Sequence, residues 1–216
     1  MTDPATDSGT EATEALTAKS NLLAKSLFQV AMGDRFFELP HCLQTLHGPD
    51  AATVWTGEAR TQTGKTWLAR LISRTVGLTV PSQPGLPDYK PLQVTFERFD
   101  NSEKWTRNFN GHFFNSHFTL GKKYKDGTTS YVAIENFGLF KFELDLLIEN
   151  ERLYFNVDRC TFLNLPLPAV CLPKGESYEF EHNRQFNFTV EIRVPIAGLI
   201  AAYDGWLVPE KTQDPL

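Results

Sequence analysis

The sequence is short of the residues that staple or anchor a chain. Its 216 residues include three cysteines, Cys42, Cys160 and Cys171, with no CxxC pair among them. An odd count at irregular spacing is not a disulfide framework, and structural zinc sites draw on closer pairs. The thiols therefore read as small apolar residues in a reducing compartment. A basic excess is lacking too: 21 Lys and Arg stand against 26 Asp and Glu, a formal net charge of −5. A chain without surplus cations is poorly equipped to replace phosphate counterions, so nucleic acid is not an expected partner. Long apolar runs are missing as well. Leu22–Met32 is interrupted by Lys25, Ser26 and Gln29 and is too short to span a bilayer. Met1 to Ser20 sets Asp3, Asp7, Glu11 and Glu14 against Lys19, with no basic stretch leading into an apolar one as a signal peptide has. These features predict a soluble cytoplasmic protein. Residues 1–20 are expected to be a disordered acidic tail, 21–210 a single domain and 211–216 a C-terminal tail.

What is abundant is phenylalanine: 17 residues, with 4 Trp and 6 Tyr. Rings in that number need a core or a cavity to keep them from water. Fourteen of the Phe lie beyond Pro91, where the pattern changes. Before it, Leu23, Leu27, Val30 and Ala31 fall at helical spacing until Gly33 interrupts and Pro40 stops the run. His41–Leu46 suits a short helical turn and Ala52–Arg60 a strand. Lys65–Val76 reads as a short amphipathic helix with Leu68, Leu71, Ile72 and Val76 on one face, ended by Gly77. Pro81, Pro84, Pro87 and Pro91 then mark a loop that joins parts of one domain.

Beyond Pro91 the chain alternates with period two. Strands are predicted near 93–98, 103–109, 112–120, 130–137, 140–148, 153–163, 178–182, 185–194 and 199–207, separated by Asn- and Gly-rich turns. No helix divides them, so a parallel βαβ sheet is excluded. The expected fold is α+β and mainly β: a curved antiparallel meander of about eight to nine strands, half-barrel or barrel, packed on the Lys65–Val76 helix in its concave side, with an N-terminal helix.

Motifs that carry chemistry are scarce. Ala59-Arg-Thr-Gln-Thr-Gly64-Lys65-Thr66 imitates a phosphate-binding loop, but the first Gly is missing and no βαβ unit follows. A polar turn capping a helix is the expectation there. The five His, at 41, 47, 112, 117 and 182, have no metal-ligand spacing, and His47 before Gly48 reads as a turn residue. No GxSxG occurs. Neither a metal nor a cofactor is expected, and no catalytic residue is assigned.

The informative run is Glu103-x-Trp105-x-Arg107-x-Phe109. On a strand these four share one face, and Ser102, Lys104, Thr106 and Asn108 share the other, polar one. The ring-bearing face is the inner one, so a Glu and an Arg go inside with it. Glu135, between Ala133 and Phe137 on its own face, is a third inner charge. Charges so placed are paired or reach a wet cavity. Arg107 could anchor a ligand's carboxylate or phosphate in an apolar pocket, or Glu103 and Arg107 could form a cross-strand pair closing one end of the sheet. The candidate ligand-binding residues are Glu103, Trp105, Arg107, Phe109 and Glu135.

Leu46-His47-Gly48, Gly57-x-Ala59, Trp67-Leu68-Ala69-Arg70, Glu103-x-Trp105-x-Arg107-x-Phe109, Pro166-Leu167-Pro168 with Leu172-Pro173, and Tyr203-x-Gly205-Trp206-Leu207 occur in this order. In them the chain resembles the bacterial domain-of-unknown-function family 4166, from about Phe28 to Val208. The resemblance implies no catalytic residues. It does imply company with dehydrogenase-like NAD(P)-binding domains, here as a separate partner. The leading expectation is a non-catalytic module binding a small hydrophobic or amphipathic ligand. The alternatives are an accessory domain partnering an NAD(P)-dependent dehydrogenase-like protein and, behind it, an enzyme using Glu103 and Arg107.

Overall fold

Period-two alternation becomes a sheet that closes on itself. The computed structural model describes residues 25–75, 88–100, 102–125 and 127–210. The tails expected over 1–20 and 211–216, and most of the proline-rich linker with Val76 and Gly77, lie outside the described residues. Among the described residues there are eleven strands: β1 (Val54–Thr63), β2 (Lys90–Phe99), β3 (Ser102–Phe109), β4 (His112–Lys125), β5 (Thr128–Phe137), β6 (Phe140–Glu149), β7 (Arg152–Phe162), the two-residue β8 (Leu165–Pro166), β9 (Ser177–His182), β10 (Gln185–Val194) and β11 (Gly198–Pro209). Every pairing is antiparallel, in the ring order β6-β5-β4-β3-β2-β1-β11-β10-β9-β7, and β7 pairs back onto β6. The meander is thus a closed ten-stranded barrel, with β8 appended to β7.

Tight turns dictate this neighbour-to-neighbour order. Asn110–Gly111, Asn150–Glu151, Leu163–Asn164 and Asn183–Arg184 each place two successive residues at positive φ. That is the two-residue hairpin geometry whose twist matches the strands it joins. Closure is far less extensive than the hairpins. The β7–β9 ladder spans three residue pairs, Arg152–Tyr154 against Tyr178–Phe180. Past it, residues 174–176 run along β10 instead, through Lys174 N to Arg193 O and Glu191 N to Glu176 O.

Three helices and two 3-10 segments complete the described residues. Helix α1 (Leu27–Met32) opens with a capping box, Ser26 accepting from Gln29 N and the Gln29 side chain accepting from Ser26 N. Gly33, at φ 60, turns the chain into a 3-10 helix over Gly33–Glu38. Helix α2 is His41–His47 and α3 is Trp67–Thr75. The second 3-10 segment is Ala169–Cys171.

The helices correct one expectation. The described part of the predicted Lys65–Val76 helix, Trp67–Thr75, does not fill the barrel's hollow. In α3 only Ala69 is buried, Leu68 and Ile72 are half-buried against the core, and Leu71 is 54% exposed. Helix α3 lies across the end of the barrel where β1 finishes. Thr66 Oγ1 accepts from Ala69 N at 3.1 Å, capping it, and donates to Ala197 O at 2.9 Å, pinning it to the β10–β11 turn. Gly64 permits the approach, since an added Cβ would stand 1.8 Å from Leu199 O. The N-terminal helices plug the opposite end. Phe28, Phe36, Leu43 and Leu46 are at most 2% exposed there. They offer more apolar surface than α3, whose Arg70 and Arg74 need water, so they win the interior.

The run imitating a phosphate loop is also resolved. Ala59–Thr63 is extended in β1, in register with Gly205–Ala201 of β11. The segment is strand followed by a helix cap, and its backbone N–H groups belong to a ladder rather than to a cradle.

Candidate functional site

Inside the barrel the two ends differ. At the helix end, Trp105 packs on Phe28, Phe96 and Phe118 with ring centroids 5.9, 4.9 and 4.6 Å apart. At the other end a cavity of about 270 Å³ opens, lined by Ile72 of α3, Phe137, Phe142, Phe162, Pro173 and Ile192 among others. It lies where β7 has lost its β9 partner. A second cavity of about 110 Å³ shares Phe137, Phe142, Pro173 and Ile192 with it and reaches inward to Arg107, Glu135, Glu179 and Tyr203. A third recess of about 50 Å³, walled by Phe109, Phe188 and Leu207, shares Arg107, Glu179 and Tyr203. An apolar antechamber therefore leads to a polar bottom.

The polar bottom is built from facing strands. Arg107 of β3 stands opposite Phe114 of β4, with Ser116 two residues on, and Phe118 stands opposite Glu135 of β5. Arg107 Nη1 donates to Ser116 Oγ at 3.0 Å, and its Nη2 lies 3.8 Å from Glu135 Oε1. The guanidinium sits over the Trp105 and Phe114 rings, at 5.1 and 4.9 Å, where the ring faces stabilise a cation. Burial pushes the Glu135 carboxyl up to about 7, Glu179 pushes the same way, and Arg107 and Ser116 pull against them. Tyr203 is pushed up to about 12 by burial, with Glu135 and Glu179 adding to it and Arg107 opposing. Behind Glu179, His47 Nε2 lies 2.5 Å from Glu179 Oε2 and is wholly buried, while its Nδ1 has no partner.

Of the five residues singled out from sequence, the structure brings four together. Trp105, Arg107 and Glu135 line the inner cavity, and Phe109 lines the recess beside Arg107. Glu103 belongs elsewhere. Its cross-strand neighbour is Arg98, whose Nε lies 3.7 Å from Glu103 Oε1, and Trp105 Nε1 donates to Glu103 Oε2 at 3.0 Å. Arg98 also donates to the carbonyls of Leu46 and Ala51, tying α2 to the sheet. The Glu103–Arg107 pair considered from sequence does not form, because four residues along a strand is ~13 Å.

Sequence reasoning missed His47, Ser116, Glu179 and Tyr203. His47 is a turn residue in sequence but meets a partner 132 positions away. In sequence, Tyr178-Glu179-Phe180 reads only as part of a strand, with no inner face assigned. The Tyr178 and Phe180 rings are half-buried, with Arg152 4.7 and 5.4 Å from their centroids, and Glu179 is the buried residue between them. Ser116, between Phe114 and Phe118 on the inner face, carried the one signal that could have been used: a hydroxyl inside an aromatic stripe.

Burial pushes the Cys42 and Cys160 thiols up to about 12 and 11, leaving them protonated at neutral pH. Among the described residues no three His, Cys, Asp or Glu are grouped to hold a metal, and no helix is long and apolar enough to cross a membrane.

A family model for a domain of unknown function, DUF4166, matches residues 39–207. The chain belongs to the DUF4166 family. The matched span takes in all eleven strands apart from the last two residues of β11, and with them the cavity and its polar bottom. No curated protein matches this DUF4166 chain. Among solved structures it is similar to zebrafish ileal bile acid-binding protein, crystallised with cholic acid, with a TM-score of 0.31 and 10% identity over 73% of this chain and 98% of that one.

Proposed function

We propose that this DUF4166 domain binds a small amphipathic molecule inside its barrel. The apolar part lies against Phe137, Phe142 and Ile192, and the polar end meets Arg107, Glu135 and Tyr203. The observation that carries this reading is the pair of cavities with shared walls, of about 270 and 110 Å³, running from an apolar mouth to a buried cation. Binding sites for small ligands are of this kind: mostly apolar, largely preformed, with a few convergent polar groups. The helix-end core shows that this sequence can pack rings closely, so the void is not a general failure to fill space.

Native mass spectrometry of the purified chain and displacement of an environment-sensitive dye by long-chain amphiphiles test the proposal. A copurified small molecule, or saturable displacement weakened at least tenfold by Ile192→Trp, supports it. Absence of both overturns it. Recovery of a nicotinamide-dependent oxidoreductase in a pull-down, with no ligand uptake, would favour the accessory-domain reading.

A further inference from the structure

The polar bottom of the cavity holds a charge imbalance. Arg107 is the cation there, and two carboxylates face the same space, Glu135 from β5 and Glu179 from β9. Glu179 is engaged from behind by His47 of α2. Tyr203 of β11, Ser116 of β4, and Ser177 and Tyr178 of β9 are the remaining polar groups around them. The wall residues from β6, β7 and β10, Phe142, Leu144, Phe155, Val157, Val190 and Ile192, carry no charge. Arg107 and Glu135 meet loosely, at 3.8 Å, which leaves room for another oxygen on the guanidinium.

Resting on the binding role proposed above, we propose that the site takes carboxylate-headed amphiphiles together with one proton. Glu135 passes from carboxylate to carboxylic acid as the ligand's carboxylate takes its place on Arg107. The proton comes from solvent and settles on Glu135, which then donates a hydrogen bond to the arriving headgroup. Without that proton, three carboxylates would share one guanidinium in a poorly solvated space, which is the arrangement that forces one of two close carboxyls to stay neutral. Burial already poises Glu135 for the exchange, at about 7, whereas Tyr203, at about 12, keeps its proton throughout. An uncharged headgroup needs no such step. Uptake of one proton makes carboxylate affinity fall about tenfold per pH unit once Glu135 is ionised in the free protein.

The test uses dodecanoate and dodecanol as probes on the full chain, titrated calorimetrically between pH 7 and 9 in buffers of different ionisation heat. The expected result is a dodecanoate affinity falling about tenfold per pH unit above 7.5, with about one proton taken up per ligand. Dodecanol affinity is expected to be flat, with no proton uptake. Glu135→Gln should abolish both the slope and the proton uptake for dodecanoate. The buffer dependence in the unaltered chain decides the matter if that variant fails to fold. Dodecanoate binding that is independent of pH, or equally sloped in Glu135→Gln, overturns the inference. So does dodecanol binding with no dodecanoate binding at any pH, which leaves the cavity reading standing. Binding of neither probe overturns both.

Discussion

The two ends of the barrel use the same residues to opposite effect. At the helix end, phenylalanine and tryptophan fill space: Phe28, Phe36, Phe96 and Phe118 are at most 2% exposed, and Phe28, Phe96 and Phe118 pack around Trp105. At the mouth, Phe137, Phe140, Phe142 and Phe162 stand around a void. The charges divide in the same way. Arg98 and Glu103 are locked into architecture by the carbonyls of Leu46 and Ala51 and by the Trp105 indole. Arg107, four residues along the strand from Glu103, and Glu135, two strands over, face free volume. A ring count or a buried charge says little by itself. Whether a helix has been inserted behind it decides whether it packs or lines.

Stability measurements can break that contrast. Phe28→Ala should cost about 3–5 kcal/mol, as a fully enclosed ring does. Phe140→Ala, half-buried beside the void, should cost about 1–2 kcal/mol from lost burial alone. Urea unfolding midpoints at equal slope give the comparison, and equal losses would mean that the mouth is packed after all. Arg98→Ala should cost about 3 kcal/mol, because it strands Glu103 without its cation. Arg107→Ala should cost less than half as much, since Glu135, already raised to about 7 by burial, can take up a proton when its cation is lost; the reverse order would remove the distinction between the two pairs.

A smaller effect is pH-dependent. Glu135 has a folded value of about 7, above its ordinary 4.5. The folded protein therefore holds a proton that the unfolded chain releases between those limits. The associated stability is full below pH 4.5, declines as pH rises and is gone above 7, a loss of ~3 kcal/mol at most. In Glu135→Gln that portion of the pH profile should be flat relative to the parent, and a parallel profile would sink the assignment. Smallest is Thr66→Ala, which removes the cap of α3 and its link to Ala197 and should cost about 1 kcal/mol. A far larger loss would show α3 to be part of the core rather than a cover on the mouth.

Most of the strands were legible because each hairpin is local. Alternation marked β3 to β7 and β9 to β11 within a few residues, and Asn110, Asn150 and Asn183 marked turns that only a left-handed pair can make. Trp105, Arg107, Phe109 and Glu135 were legible for the same reason, since period two fixes which face they share. What could not be read is whatever depends on a distant strand. The β7–β9 contact that closes the ring joins residues separated by the whole 163–176 connection. His47 looks like punctuation until Glu179 arrives opposite it. Glu103 was matched with the wrong arginine because shared face was taken for proximity, whereas pairing runs across strands. The amphipathic pattern of Trp67–Thr75 promised burial, but which helix occupies an interior is a competition, and the N-terminal helices carry the larger apolar side chains.

The three-pair seam between β7 and β9 has a kinetic meaning. A passage beside it would serve as the way in and the way out alike. Loosening it multiplies both rates by one factor and leaves the equilibrium between full and empty barrels where it was. The polar bottom can therefore set how tightly a guest is held while the seam sets how long the exchange takes, and selection can tune tenacity and tempo on separate residues.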